Sequence, residues 1–316
     1  MWLITTLPRL FVEVCLPIFL CVGAGWGLDR RFRLHLETLV KLNIYLMVPS
    51  FIFVHVVDTD LGGHDALRIM AFTATVIALM FVCATIASRL LKLEARRRQA
   101  LSLATMFYNA GNFGLPLVTL AFGKEAAAVQ VYVLVTMNVS TFTVGLFLAQ
   151  SRGETPGSHT RALLNVLRQP TIYAVLAGAI CRGFEIPVKH AVWLWEPVNL
   201  LAAGLIGFAL VTLGVQMSQT KPAPFQAPLL SALGIRLVGG PLLAIVVAKV
   251  FGFSPVASAS LILAAGAPTA VNTALLTHEF GGDVSFATSA VYFSTLFSMV
   301  TTTVILAVLK AWVGTP

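Results

Sequence analysis

Ten apolar stretches, each long enough to cross a lipid bilayer, occupy most of this 316-residue chain. They lie at 6–28, 37–57, 67–91, 98–121, 126–149, 166–184, 191–218, 227–251, 256–278 and 284–311. A spanning helix takes about 20 predominantly apolar residues, so ten of them leave only short connections. The separators are runs of charge and turn residues, among them Asp29-Arg30-Arg31-Phe32-Arg33, Lys92 to Arg98 and Gly123-Lys124-Glu125. The longest polar loop, Ser151 to Thr160, is too short for a domain. Charged residues make up 11% of the chain, against roughly 25% in soluble proteins. A water-soluble enzyme with this composition would have nowhere to bury its apolar surface. The sequence predicts an all-α polytopic membrane protein.

The net charge of +8 would suggest nucleic-acid binding in a soluble chain. Here no nucleic-acid partner is expected, and the positions of the cations carry the information instead. Loops after the odd-numbered spans hold thirteen Lys and Arg residues, including Arg30, Arg31, Arg33, Arg96, Arg97, Arg98, Arg152 and Arg161. The other side holds seven, with Arg236 set aside. Because positive loops stay in the cytoplasm, both termini are expected outside, in the periplasm of a cell inner membrane. Cys15, Cys21, Cys83 and Cys181 fall in apolar stretches without CxxC spacing and read as small buried hydrophobes. Pro8, Arg9 and Glu13 mark the first stretch as a spanning helix rather than a cleaved leader.

An internal repeat is visible. Pro17 to Gly25 resembles Pro170 to Gly178 at a separation of 153 residues, and Pro116 and Pro268 are 152 apart. Five helices per half is an odd number, so the halves must enter the membrane in opposite directions, as in many secondary transporters. The expected organisation is a first five-helix repeat over 1–150, a cytoplasmic loop over 151–165 and a second repeat over 166–316.

The fourth and ninth stretches carry the chemistry. One reads Tyr108-Asn109-Ala110-Gly111-Asn112-Phe113-Gly114-Leu115-Pro116, the other Ala265-Gly266-Ala267-Pro268-Thr269-Ala270-Val271-Asn272-Thr273. Glycine, proline and asparagine at bilayer depth predict interrupted helices, and broken backbone survives there only against protein or a water-filled cavity. Paired interruptions in two halves are the best sequence pointer to a transporter's site. Pro116 and Pro268 are expected to open the second half of each helix, because proline suits the first helical position. A half-helix N-terminus favours an anion, and Asn109, Asn112 and Asn272 add neutral amide donors. The same asparagines would also serve as caps for freed backbone groups. Arg236 has three readings: pairing with a substrate or a carboxylate across the cavity, snorkelling toward the inner interface, or bonding to broken-helix carbonyls. His55, Asp58, His278 and Glu279 read as helix-end groups, and Ser294, Thr295 and Ser298 as packing. No phosphate loop, HExxH pair or nucleophile elbow occurs, so no enzyme activity, metal or cofactor is expected.

The segments NAGNFGLPL (109–117), RQPTIYAVLAG (168–178), LVTLGVQM (210–217), RLVGGP (236–241) and APTAVNTALLTHEFGGD (267–283) resemble the auxin efflux carriers, whose bacterial branch includes malate and malonate carriers. The resemblance implies ten helices in two inverted five-helix repeats, with helices 4 and 9 broken and crossing at Pro116 and Pro268. It also implies a homodimer through a scaffold of helices 1, 2, 6 and 7, with helices 3–5 and 8–10 moving as an elevator. The family's binding asparagine falls on Asn109, and a hydrophobic pocket position falls on Val48. Together with Asn112, Gly114, Thr269 and Asn272, these form the candidate substrate-binding set. Plant members carry an Asp and a Lys inside helix 3, where this chain has none between Arg68 and Arg89. The expected function is secondary transport of a small organic anion, an auxin-like monocarboxylate or a malate- or malonate-type dicarboxylate. The rival readings are a sodium- or proton-coupled symporter of the bile-acid-transporter type and a non-transporting membrane sensor.

Overall fold

The computed structural model describes residues 7–59, 61–145, 148, 167–279 and 281–314. The expected loop at 151–165, with Arg152 and Arg161, lies outside the described residues. In chain order the helices are α1 (Leu7–Phe32), α2 (Leu36–Asp58), α3 (Gly63–Leu90), α4 (Ala95–Met106), α5 (Ala110–Gly145) and α6 (Pro170–Gly183). Then follow α7 (Val192–Gln219), α8 (Ala227–Phe251), α9 (Pro255–Ala265), α10 (Asn272–Glu279) and α11 (Val284–Val313). Seven of these are long and apolar enough to cross a membrane. No strand forms among the described residues; the one β-bridge is isolated.

The expected stretches that are not among these seven are short or divided for local reasons. The expected fourth span is divided between α4 and the start of α5, and the expected ninth between α9 and α10. The fourth and fifth stretches meet at Gly123, whose φ of 79° favours glycine and divides α5 into two helical arms, so that Gln130 of the second reaches back to Ala110 O of the first. The sixth, α6, begins at Pro170.

Three prolines inside the helices share one device, whereas Pro197 lies within α7 without it. Pro17, Pro49 and Pro241 each follow a wide turn in which the preceding residue bonds five residues back: Leu16 N–H to Phe11 O, Val48 N–H to Asn43 O, and Gly240 N–H to Ile235 O. A fourth wide turn, Ala110–Gly114, precedes Pro116. Proline cannot donate, and its ring crowds the carbonyl one turn back; the extra residue in the turn relieves that crowding.

The helices pack in two groups. α1 lies on α7, and α2 on both α6 and α7, while α3, α4, α5, α8, α9 and α11 pack on one another. Small residues set the closest approaches. A Cβ on Gly25 would strike Val211 O, one on Gly214 would strike Val22 O, and one on Gly178 would meet Val56. Gly214→Val therefore forces α1 and α7 apart, since the obstacle is backbone and cannot rotate away. The expected cost is ~3 kcal/mol, read as a lowered melting point in detergent.

Candidate functional site

α4 stops at Met106 and α9 at Ala265, and the freed backbones satisfy each other. Asn109 N–H donates to Pro268 O at 2.7 Å, and Ala270 N–H donates to Phe107 O at 2.9 Å. Tyr108 and Thr269 thereby form an antiparallel bridge. Pro268 suits this position because only its carbonyl is used. Two breaks that would each be costly in an apolar medium are tolerated because they are paired.

The C-terminal ends of α4 and α9 share one cation. Arg236 of α8 is completely buried. Its Nη1 donates to Thr105 O at 2.7 Å, its Nη2 donates to Ala265 O, and its guanidinium lies 5.0 Å from the centre of the Tyr108 ring. A helix C-terminus carries unsatisfied carbonyls and a partial negative charge, so one fixed cation balances two helix ends. Space for it comes from Gly240, where a Cβ would meet Arg236 Nη2 and would come within 2.8 Å of Ala265 O. Of the roles open to Arg236 from the sequence, the structure shows the bond to broken-helix carbonyls, and its complete burial excludes snorkelling.

The N-terminal ends of the following helices face a cavity of about 340 Å³. Asn109 caps α5: its Oδ1 accepts from the Asn112 N–H at 3.0 Å. Ala110, Gly111 and Asn112 at the start of α5, and Ala270, Val271 and Asn272 at the start of α10, line the cavity. Asn43 and Val48 of α2, Asn138 of α5, Thr171 of α6 and Gln216 of α7 complete much of the wall. Among the described residues, none that lines the cavity is charged. Three of their polar atoms are buried without a hydrogen-bond partner: Asn109 Nδ2, Asn43 Oδ1 and Thr171 Oγ1. A second cavity, of about 690 Å³, opens one turn along α2 and is lined by Phe51, His55, Asp58, Lys124 and Glu125.

Residues 10–306 match the profile of a family described as membrane transport protein. The chain belongs to that family. It is the family of the auxin efflux carriers, so the resemblance carried by the motifs holds, and the chain is a transporter rather than an enzyme. Apolar helices and family membership together make it a multi-pass membrane protein. Relatives of this membrane transport protein run nearly its full length. A "Putative malonate transporter" of Rhizobium meliloti is 25% identical over 94% of this chain and 95% of its own. An "Uncharacterized transporter" of Methanothermobacter thermautotrophicus is 24% identical over 84% and 86%, respectively.

In this membrane transport protein, Val48, Asn109, Asn112 and Asn272 meet at the cavity, as expected for one site. Gly114, Pro116, Pro268 and Thr269 do not line it and act beneath it. A Cβ on Gly114 would come 3.0 Å from Gln130 Nε2 and 3.2 Å from Asn109 O, so glycine there lets the arm of α5 after Gly123 pack closely on the arm before it. Thr269 is turned away, its hydroxyl donating to Ala104 O at 2.9 Å and its N–H to Ser294 Oγ at 3.0 Å. The prolines do not open the half-helices. α5 regains helical hydrogen bonding at Ala110, six residues before Pro116, through the wide turn, and α10 begins at Asn272, four residues after Pro268. Sequence reasoning missed Asn43, Gln130 and Thr171. Asn43 Nδ2 donates to Asn112 Oδ1 at 2.9 Å, and Gln130 Nε2 donates to Ala110 O at 2.8 Å. Each is a polar residue in an apolar span, but so are neighbours such as Ser50, Thr136, Asn138 and Gln169, so polarity alone does not single them out.

Proposed function

We propose that this chain is a secondary transporter of small organic anions and that it binds a carboxylate at the start of α5 and α10. The observation that carries the reading is Asn109 Nδ2, an amide donor that is buried and unpartnered in an uncharged cavity. It sits at a helix N-terminus, where the backbone dipole favours negative charge. With no cation among the described residues of the wall, an anion is held by dipoles and can leave again. The Rhizobium relative's name gives malonate as the first acid to try.

In this proposal the chain forms ten membrane helices in two inverted five-helix repeats, 1–150 and 166–316, with α4–α5 and α9–α10 as the crossing pair. The close packing of α1, α2, α6 and α7 supports a scaffold against which the remaining helices move as an elevator. The cavities beside Val48 and Phe51, one turn apart on α2, suit access from alternate sides. A homodimer in the inner membrane, with both termini outside, belongs to the same reading.

Proteoliposomes containing the purified protein test it directly. Labelled malonate should enter with saturation, competed by other small carboxylates and unaffected by organic amines. Saturable binding without flux would instead identify a sensor.

A further inference from the structure

We infer that the cavity selects acids carrying a hydrogen-bond donor beside the carboxylate, hydroxy acids above all, and that Asn43 reads this donor. The inference rests on the carboxylate reading of the site. Asn109 fixes one end. Its Oδ1 is taken by the Asn112 N–H at 3.0 Å, so the free atom must be Nδ2, a pure donor that matches a carboxylate oxygen.

Asn43 makes the opposite demand. Its Nδ2 is spent on Asn112 Oδ1 at 2.9 Å, and its Oδ1 is left buried with no donor. Asn43 is only 3% exposed. A buried acceptor left unpaired is penalised, and a carboxylate oxygen cannot relieve it because both groups only accept. An alcohol O–H can. Thr171, 2% exposed on another helix of the same cavity, presents a hydroxyl that is likewise unpartnered and accepts or donates to the same group. One ligand satisfies Asn109 Nδ2 and Asn43 Oδ1 together only if it carries both a carboxylate and a donor. A plain dicarboxylate such as malonate turns an oxygen toward Asn43 Oδ1.

Turning over the amides of Asn43 and Asn112 together would keep their mutual bond but would present a second donor, and this would favour plain dicarboxylates. The sign of the selectivity therefore decides. The experiment is calorimetric titration of the purified full-length protein with two matched pairs, malonate against hydroxymalonate and succinate against malate. The hydroxylated member of each pair should bind about tenfold more tightly. In Asn43→Leu that ratio should fall to about one. Equal or reversed preference in the wild-type protein, or a preference that survives Asn43→Leu, overturns the inference and leaves the carboxylate site standing. If none of the four acids binds, the carboxylate reading fails and this inference fails with it.

Discussion

Asn109→Asp should abolish anion binding while leaving the fold intact. The substitution is close to isosteric and keeps the oxygen that accepts from the Asn112 N–H, so the α5 cap survives. A negative charge at a helix N-terminus is favourable, and stability should shift by about 1 kcal/mol or less. The unpartnered donor, however, becomes an oxygen facing the ligand's own carboxylate. Two like charges about 4 Å apart repel by ~4 kcal/mol at an effective dielectric constant of 20, roughly a thousandfold in affinity. Asn109→Ala is the informative contrast. It removes both the cap, at about 1 kcal/mol of stability, and the donor, at roughly tenfold to a hundredfold in affinity. Titration with malonate beside a thermal melt of each variant separates the two effects. Wild-type affinity in the Asp variant would place the ligand elsewhere.

Arg236→Met should damage the fold more than any other single change near the site. The guanidinium serves Thr105 O and Ala265 O, and its removal leaves two buried helix-end carbonyls bare. Each unpaired group costs about 1–3 kcal/mol. Relief from desolvating the charge offsets part of that sum, so a net loss of ~3 kcal/mol is expected. Arg236→Lys should recover only part of it, because an ammonium on a single stem does not reproduce the planar fork that reaches both carbonyls. Gly240→Ala should mimic the loss, since the new methyl group occupies the space of Nη2. Melting temperature in detergent reads all three. The Lys variant, once folded, should bind malonate like the wild type, because Arg236 does not line the cavity. A wild-type melt for Arg236→Met would refute the capping role.

Much of this was legible in the sequence for identifiable reasons. Asn, Gly and Pro at bilayer depth break helices whatever surrounds them, so the interruptions at 107–109 and 266–271 could be placed without coordinates. Where helix resumes was not legible. Pro116 looks like a first-turn residue, yet a wide turn lets it sit inside α5, so the cap falls on Asn109 instead of the residue before the proline. The break in α5 at Gly123 was legible, because Gly123-Lys124-Glu125 reads as a separator and the backbone leaves helical geometry there. Asn43 and Thr171 were invisible as site residues because their significance lies in who faces them. Asn43 meets Asn112 across 69 residues of chain, and no spacing rule reaches that far. Arg236 was ambiguous until Thr105 and Ala265, remote from each other in sequence, were seen to share it.

The bridge between Tyr108 and Thr269 also limits how the molecule can work. Sliding one broken segment past the other would strip the Asn109 and Ala270 amides of their acceptors in a medium that offers no replacement. The knot at the centre is thus a rivet, and any cargo lodged beside it travels with both arms or with neither. In the proposed transport cycle, motion would therefore fall at the boundary between the two packed groups rather than at the bridge.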